Sequence, residues 1–134
     1  MSKLIKEMEF TKKEALNFLN ALEGYHSLLK TIHWSTTNKA EHELVDDIDE
    51  AVLGFEDRIA EATMGRLNIR FGVGELTTLM PDAKTLDGLL KELEGDILKF
   101  KEQIGDEAKN DGMHNILDEF LENVYSWNYL RTLK

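Results

Sequence analysis

The chain has no cysteine and a single proline, Pro81, among its 134 residues. Without cysteine it forms no disulfide, has no thiolate nucleophile and offers no sulfur ligand, so any metal must be held by histidine and carboxylate. The remaining composition, with 42% hydrophobic residues, 31% charged residues and nine glycines, is that of a helical globular protein. We therefore predict one domain covering residues 1–134.

Long hydrophobic runs and an excess of basic residues are also missing. No apolar run approaches the ~20 residues of a membrane span, and no charged-then-apolar signal segment stands at the start. We expect a soluble, cytoplasmic protein with no membrane partner. The 26 acidic residues outnumber the 16 Lys and Arg, and the net charge of −10 opposes binding to phosphates. Lys3 and Lys6 make no long basic tail, so DNA is not expected as a partner.

The first half of the chain predicts two helices joined by a short loop. A capping-box pattern, Thr11 with Glu14, marks the start of the first helix. Asn38 with Glu41 marks the start of the second helix, which is expected to run to about Gly65. Apolar residues recur at helical spacing in both, namely Phe18, Leu19, Leu22, Tyr25, Leu29 and Ile32, then Leu44, Val45, Ile48, Val52, Phe55 and Ile59. A short loop between such helices predicts an antiparallel hairpin.

Residues 66–84 have a different pattern. Apolar residues alternate with polar or small ones, and Gly72 and Gly74 interrupt any helix, so we predict an extended crossover with at most one short turn. Helix three is expected from near Thr85 to Gly105, and helix four from around Asp111, with a core face formed by Ile116, Leu117, Phe120, Leu121, Val124 and Trp127. Two helical hairpins joined by one long connection predict an all-α, ferritin-like four-helix bundle.

The stretch IHWSTTNKAEHELVDD contains two of the four histidines. His33 and His42 flank the hairpin turn and can converge there. A helical wheel places His42, Asp46 and Asp57, with Glu61 at the margin, on a stripe roughly 140° from the core face. On that stripe Asp49, together with Asp47 and Glu50, is interpreted as solvated acidic surface.

The histidines and the two later carboxylates are too far apart to share an ion within one chain. Asp57 lies fifteen residues after His42, or ~22 Å along a helix, whereas Asp57 and Glu61 are neighbours four residues apart. A two-fold axis beside helix two would unite one chain's histidines with the other chain's carboxylates, with Gly54 permitting close approach. This mixture of nitrogen and oxygen ligands suits Fe(II), Zn or Mn.

The segment HWSTTNKAEHELVDDIDEAVLGFEDRIAE resembles the ferroxidase segment of the Dps family, the mini-ferritins of the ferritin-like superfamily. That family has His-Trp, a loop, His-Glu and then D-x-x-x-E, which here are His33-Trp34, His42-Glu43, Asp57 and Glu61. IGDEAKNDGMHNILDEF, followed by Trp127, resembles the start of the family's last helix and its late tryptophan. The resemblance extends over all four predicted helices.

The resemblance implies an iron-storage protein of oxidative stress that oxidises Fe(II), preferably with hydrogen peroxide. His33 and His42 would bind iron from one subunit, and Asp57 and Glu61 from its two-fold mate. Asp46 would assist a second iron. Trp34 would lie close to the metal and intercept radicals. The implied partner is the chain itself, as a two-fold dimer at least and as a hollow dodecamer in the family's usual assembly.

Two other interpretations remain open. Glu23 and His26 have the Glu-x-x-His form of di-iron bundles that hold metal within one chain. The partner motif would be Asp111 with His114. Such a centre also needs two glutamates that point inward from the other helices, and no persuasive pair is present. His26 is better interpreted as an interface or core histidine with a hydrogen-bond partner. Alternatively, the chain is a non-catalytic ferritin-like bundle that serves as a structural or interaction module. The loop between His33 and His42 and the crossover at residues 66–84, both shorter than the family's, favour that alternative.

Overall fold

A computed structural model describes residues 10–133 of the chain. It contains helices α1 (Lys12–Ser35), α2 (Lys39–Leu67), α3 (Leu86–Ile104) and α4 (Asp111–Leu130), with a 3₁₀ turn at Ala108–Asn110 before α4. No strand occurs in residues 10–133, and the prediction of an all-α chain with four helices is confirmed. Lys3, Lys6 and the start of the chain lie outside the described residues.

The polar residues expected to start the helices do so. Thr11 Oγ1 accepts the backbone N–H of Glu14, whose carboxylate accepts the N–H of Thr11 at 2.9 Å. Asn38 Oδ1 accepts the N–H of Glu41 at 2.9 Å at the start of α2, and Thr85 caps α3. These bonds satisfy N–H groups that have no partner within the helix.

The second helix extends two residues beyond its expected end at about Gly65. The helix continues to Leu67, and Asn68 then takes the left-handed conformation with φ 56° and ψ 52°. Asparagine tolerates that conformation better than most residues, so it ends the helix where a glycine would be expected. None of the helices that the structure describes is both long enough and apolar enough to cross a membrane.

Aromatic pairs define how the helices pack. Phe18 stacks on Phe100 with ring centroids 4.2 Å apart, and Phe55 stacks on Phe120 at 3.8 Å. Tyr25, further along α1, donates to Asp96, which precedes Phe100 on α3, so α1 and α3 run antiparallel. α2 and α4 also run antiparallel, since Arg66 near the end of α2 donates to Asn110 at the start of α4.

One core lies between the four helices. The apolar faces expected for the first two helices are buried there, although Leu44 is only partly buried. On α4, Ile116 and Trp127 pack at the margin of the core instead of inside it. α1 contacts α2 and α3, and α4 contacts the same two helices, so that α2 and α3 occupy opposite corners.

The connection between α2 and α3 lies along the outside of α1. Glu75 forms an ion pair with Lys12 at 2.9 Å. Further on, Asn20 accepts two backbone N–H groups, that of Thr77 through its side chain at 2.8 Å and that of Leu79 through its carbonyl at 3.0 Å. Residues 68–85 belong to no helix, and the short helical turn considered for this connection is replaced by a non-helical turn. The turn lies at residues 72–75.

The connection approaches α1 most closely at Gly24. A Cβ atom added to Gly24 would lie 1.8 Å from the carbonyl oxygen of Leu79 and 3.2 Å from Cα of Met80. Only glycine leaves room for this backbone contact. The path of the connection therefore depends on the absence of a side chain in the middle of α1.

Replacing Tyr25 with phenylalanine is expected to change the alkaline stability of the bundle. Burial, together with the hydrogen bond to Asp96, raises the pKa of Tyr25 well above its usual range. A raised pKa in the folded state means that stability is lost as the pH rises above ~10, where the unfolded tyrosine ionises first. Denaturant unfolding at pH 8 and pH 11 should therefore show a smaller alkaline loss for Tyr25→Phe than for the native chain. Equal losses in both proteins would contradict the assignment.

Candidate functional site

His33 and His42 meet at the tip of the α1–α2 hairpin. His33 lies in the last turn of α1 and His42 in the first turn of α2, because only Thr36, Thr37 and Asn38 connect the two helices. Their imidazole rings stack with centroids 3.8 Å apart and an interplanar angle of 20°. The turn therefore presents the two rings side by side at the protein surface.

Each histidine is held by the other's backbone. His33 Nδ1 lies 3.2 Å from the carbonyl oxygen of His42, and His42 Nδ1 lies 2.9 Å from the carbonyl oxygen of His33. A carbonyl oxygen only accepts, so Nδ1 is the protonated nitrogen in both rings. In the neutral rings this leaves the lone pair of Nε2 free, which is the arrangement typical of a metal-binding histidine.

The carboxylates singled out in the sequence lie elsewhere on α2. Asp57 and Glu61 are exposed neighbours toward its C-terminal half, and Asp46 is exposed one turn after His42. Within residues 10–133, no group of three or more histidines and acids could hold a metal ion. One chain therefore carries a histidine pair and a carboxylate pair ~22 Å apart along α2, and neither pair alone has the three ligands of such a group.

The two remaining histidines have local partners. His26 Nδ1 lies 2.6 Å from Asp49 Oδ1 across the α1–α2 interface, and both side chains are partly buried. His114 Nε2 lies 2.7 Å from the carbonyl oxygen of Gly105. The interpretation of Asp49 as solvated surface was wrong, because His26 covers it. In the described part of the chain, Glu23, His26, Asp111 and His114 do not assemble into the intrachain metal centre considered above.

An apolar cavity lies between α1, α2 and the connection, toward the end of the α1–α2 hairpin that is far from the histidine pair. We call it the α1–α2 cavity; it has a volume of about 270 Å³ and is lined by Leu16, Leu19, Leu53, Glu56, Asp57, Ala60, Phe71 and Leu76. Gly54 lies on another side of α2, in the groove facing α4. Sequence patterns missed this cavity, although Leu16 and Leu53 stand at apolar positions away from the core faces.

Trp34 is the other unexpected feature of this surface. Its side chain is 71% exposed beside His33, and Lys30 Nζ lies 5.8 Å from the centroid of the indole ring. The indole therefore offers a large apolar surface to the solvent beside the histidine pair.

Glu56→Gln is expected to reduce the loss of stability between about pH 5 and 8. Burial, a hydrogen bond with Glu23 and the charges of Glu23 and Asp57 raise the pKa of Glu56 to about 8. Folding therefore favours the protonated form, and its contribution to stability is lost as the pH rises from ~4.5 through 8. Because Glu56 is partly solvated, we expect a difference on the order of 1 kcal/mol. Urea unfolding of both proteins at pH 5 and pH 8.5 measures it, and parallel pH dependences would contradict it.

Comparison with protein-family models, with characterised proteins and with solved structures finds no match to this chain. The functional interpretation therefore depends on the geometry of the chain's own residues and on the resemblance described above.

Proposed function

We propose that this chain is a Dps-like mini-ferritin that oxidises Fe(II) at a site shared by two subunits, with hydrogen peroxide as oxidant, and sequesters the iron. His33 and His42 come from one subunit, and Asp57 and Glu61 come from its two-fold mate. The observation that carries this proposal is the reciprocal bonding of the two histidines. Both Nδ1 atoms are occupied by backbone carbonyls, so both Nε2 atoms remain free to bind a metal.

The fold supports the proposal. α1 and α2 form one antiparallel hairpin and α3 and α4 the other, and a long connection lies along α1 between them. One long crossover between two helical hairpins is the wiring of ferritin-like bundles. We propose that the chain has this wiring and assembles at least as a dimer, with a dodecamer as the larger form.

Fe(II) is the substrate in this proposal, and Zn or Mn are competitors for the same ligands. Imidazole nitrogens and carboxylate oxygens bind Fe(II), and the carboxylates favour the ferric product because they supply negative charge. Asp46 supports a second iron near the first. Two Fe(II) ions then each give one electron to one hydrogen peroxide, whose O–O bond breaks, and two protons complete two water molecules. Trp34, beside His33, is positioned to intercept a radical if only one electron is transferred.

A competing function is favoured by the same histidine pair. The reciprocal bonds also close the tip of the hairpin, which is a structural role that needs no metal. In that case the chain is a non-catalytic ferritin-like bundle acting as an interaction module. The two functions differ in whether the chain accelerates iron oxidation.

The test is an anaerobic addition of Fe(II), followed by hydrogen peroxide, with the ferric absorbance and the mass in light scattering recorded together. We expect oxidation faster than in buffer by an oligomer, and inhibition by Zn²⁺. Glu122→Gln, which changes an exposed acid on α4, serves as a control and should leave the rate unchanged. A rate equal to that of buffer would leave only the non-catalytic function.

A further inference from the structure

The exposed Trp34 and the α1–α2 cavity lie at opposite ends of the same face. Trp34 is at the hairpin tip beside His33, whereas the cavity lies beside Asp57 toward the other end of α2. One end therefore has an unburied indole, and the other end has an unfilled apolar cavity. A face with this pattern is complementary to a copy of itself turned by two-fold rotation.

The shared iron site determines where that rotation axis would pass. For the histidines of one copy to meet Asp57 and Glu61 of another, the axis must cross α2 midway between His42 and that carboxylate pair, near Glu50. A two-fold rotation about this axis places the hairpin tip of one copy at the level of the carboxylate pair of the other copy. Trp34 of one copy is thereby brought level with the cavity of the other, to within ~5 Å along the helix axis.

We propose that Trp34 of one copy fills the α1–α2 cavity of its two-fold partner. This inference rests on the proposed function, from which the position of the axis is taken. Charge also favours it, because Lys30 lies beside the indole and would approach the carboxylate of Asp57 at the cavity. The carboxyl group of Glu56 offers an acceptor for the indole N–H, which needs a partner when buried.

The insertion makes Trp34 a positioning residue for the shared site. Asp57 is part of the cavity lining, and His33 precedes Trp34 in the chain. An indole seated in the cavity therefore brings His33 of one copy close to Asp57 of the other. The same contact both stabilises the dimer and aligns the two halves of the coordination sphere.

The first test measures association of the full chain by sedimentation equilibrium. We expect Trp34→Ala to raise the dimer dissociation constant by about 30-fold, as is typical of a buried aromatic anchor. Tyr129→Ala, which removes another exposed aromatic residue, on α4, is the matched control and should leave the dissociation constant unchanged. On the receiving side, Leu53→Glu places a charge at a 40% exposed position of the cavity. It should weaken association to a similar extent without unfolding the chain.

The second test follows the fluorescence of Trp34 through assembly. Subtracting the emission spectrum of Trp34→Phe removes the contribution of Trp127. The emission maximum of the difference spectrum should shift to shorter wavelength as the dimer forms. A strictly monomeric chain overturns the inference, as does a dimer in which Trp34 keeps the emission of an exposed indole. Iron oxidation by such a dimer would overturn this inference alone. A dimer with buried Trp34 and no iron oxidation would overturn the proposed function alone.

Discussion

We expect that chains carrying His42→Ala and chains carrying Asp57→Ala, each nearly inactive when assembled alone, regain iron oxidation when they are refolded together. Each substitution removes one metal ligand from both sites of its own dimer, and we expect a rate loss of about 100-fold for either. In a mixed dimer, the intact histidines of one chain meet the intact carboxylates of the other. One of its two sites is then complete.

The fraction of activity that returns shows whether the metal site is shared between two chains or contained in one. Random pairing of equal amounts makes half of the dimers mixed, and each has one complete site, so about one quarter of the native activity should return. A site contained within one chain predicts no recovery at all. The measurement is the initial rate of peroxide-dependent Fe(II) oxidation at equal total protein.

A second mixture provides the control. Native chains are refolded with equal amounts of chains that carry both His42→Ala and Asp57→Ala. A shared site again predicts about one quarter of the activity, because both sites of the mixed dimer are broken, whereas a site within one chain predicts about one half. No recovery in the first mixture, from proteins shown to be folded dimers, together with half of the activity in the second mixture, would contradict a site shared between chains.

Local signals in the sequence were sufficient for most of the fold. Thr11 and Asn38 were expected to cap helices because a side-chain oxygen can satisfy free N–H groups, and both do; Thr85, expected only near a helix start, also caps one. The core faces followed from spacing, except that Leu44, Ile116 and Trp127 are only partly buried. The convergence of His33 and His42 could also be predicted from local sequence, because a loop of three residues leaves the two helices little freedom to move apart.

The features that depend on neighbouring elements were not predictable in the same way. A helical wheel of α2 considers one helix, so it assigned Asp49 to solvent, whereas His26 from α1 covers it. The α1–α2 cavity exists only because the connection brings Phe71 and Leu76 to that place, and an irregular segment has no periodicity from which its path follows. Whether a second chain supplies carboxylate ligands to His33 and His42 depends on the shape of the whole α1–α2 surface, which a pattern along one helix does not describe.

Gly24→Ala is expected to destabilise the protein by about 3 kcal/mol, although alanine is the better helix former. The added Cβ would lie 1.8 Å from the carbonyl oxygen of Leu79, which is backbone and cannot rotate away. Either the connection detaches from α1 and gives up the hydrogen bond between Leu79 and Asn20, or α1 shifts in the core. Either change removes packing contacts between α1 and its neighbours, and the added methyl group does not make up for them.

Gly95→Ala is the matched control for this prediction. Gly95 also lies inside a helix, α3, but a Cβ there meets no atom within 4 Å, so the substitution should stabilise the protein by roughly 0.5–1 kcal/mol through helix propensity alone. Denaturant unfolding of the two variants at the same pH should therefore move in opposite directions from the native chain. A Gly24→Ala protein as stable as Gly95→Ala would mean that the connection does not pack against α1 at this point. The cavity beside that connection, and with it the proposed place for Trp34, would then have to be abandoned.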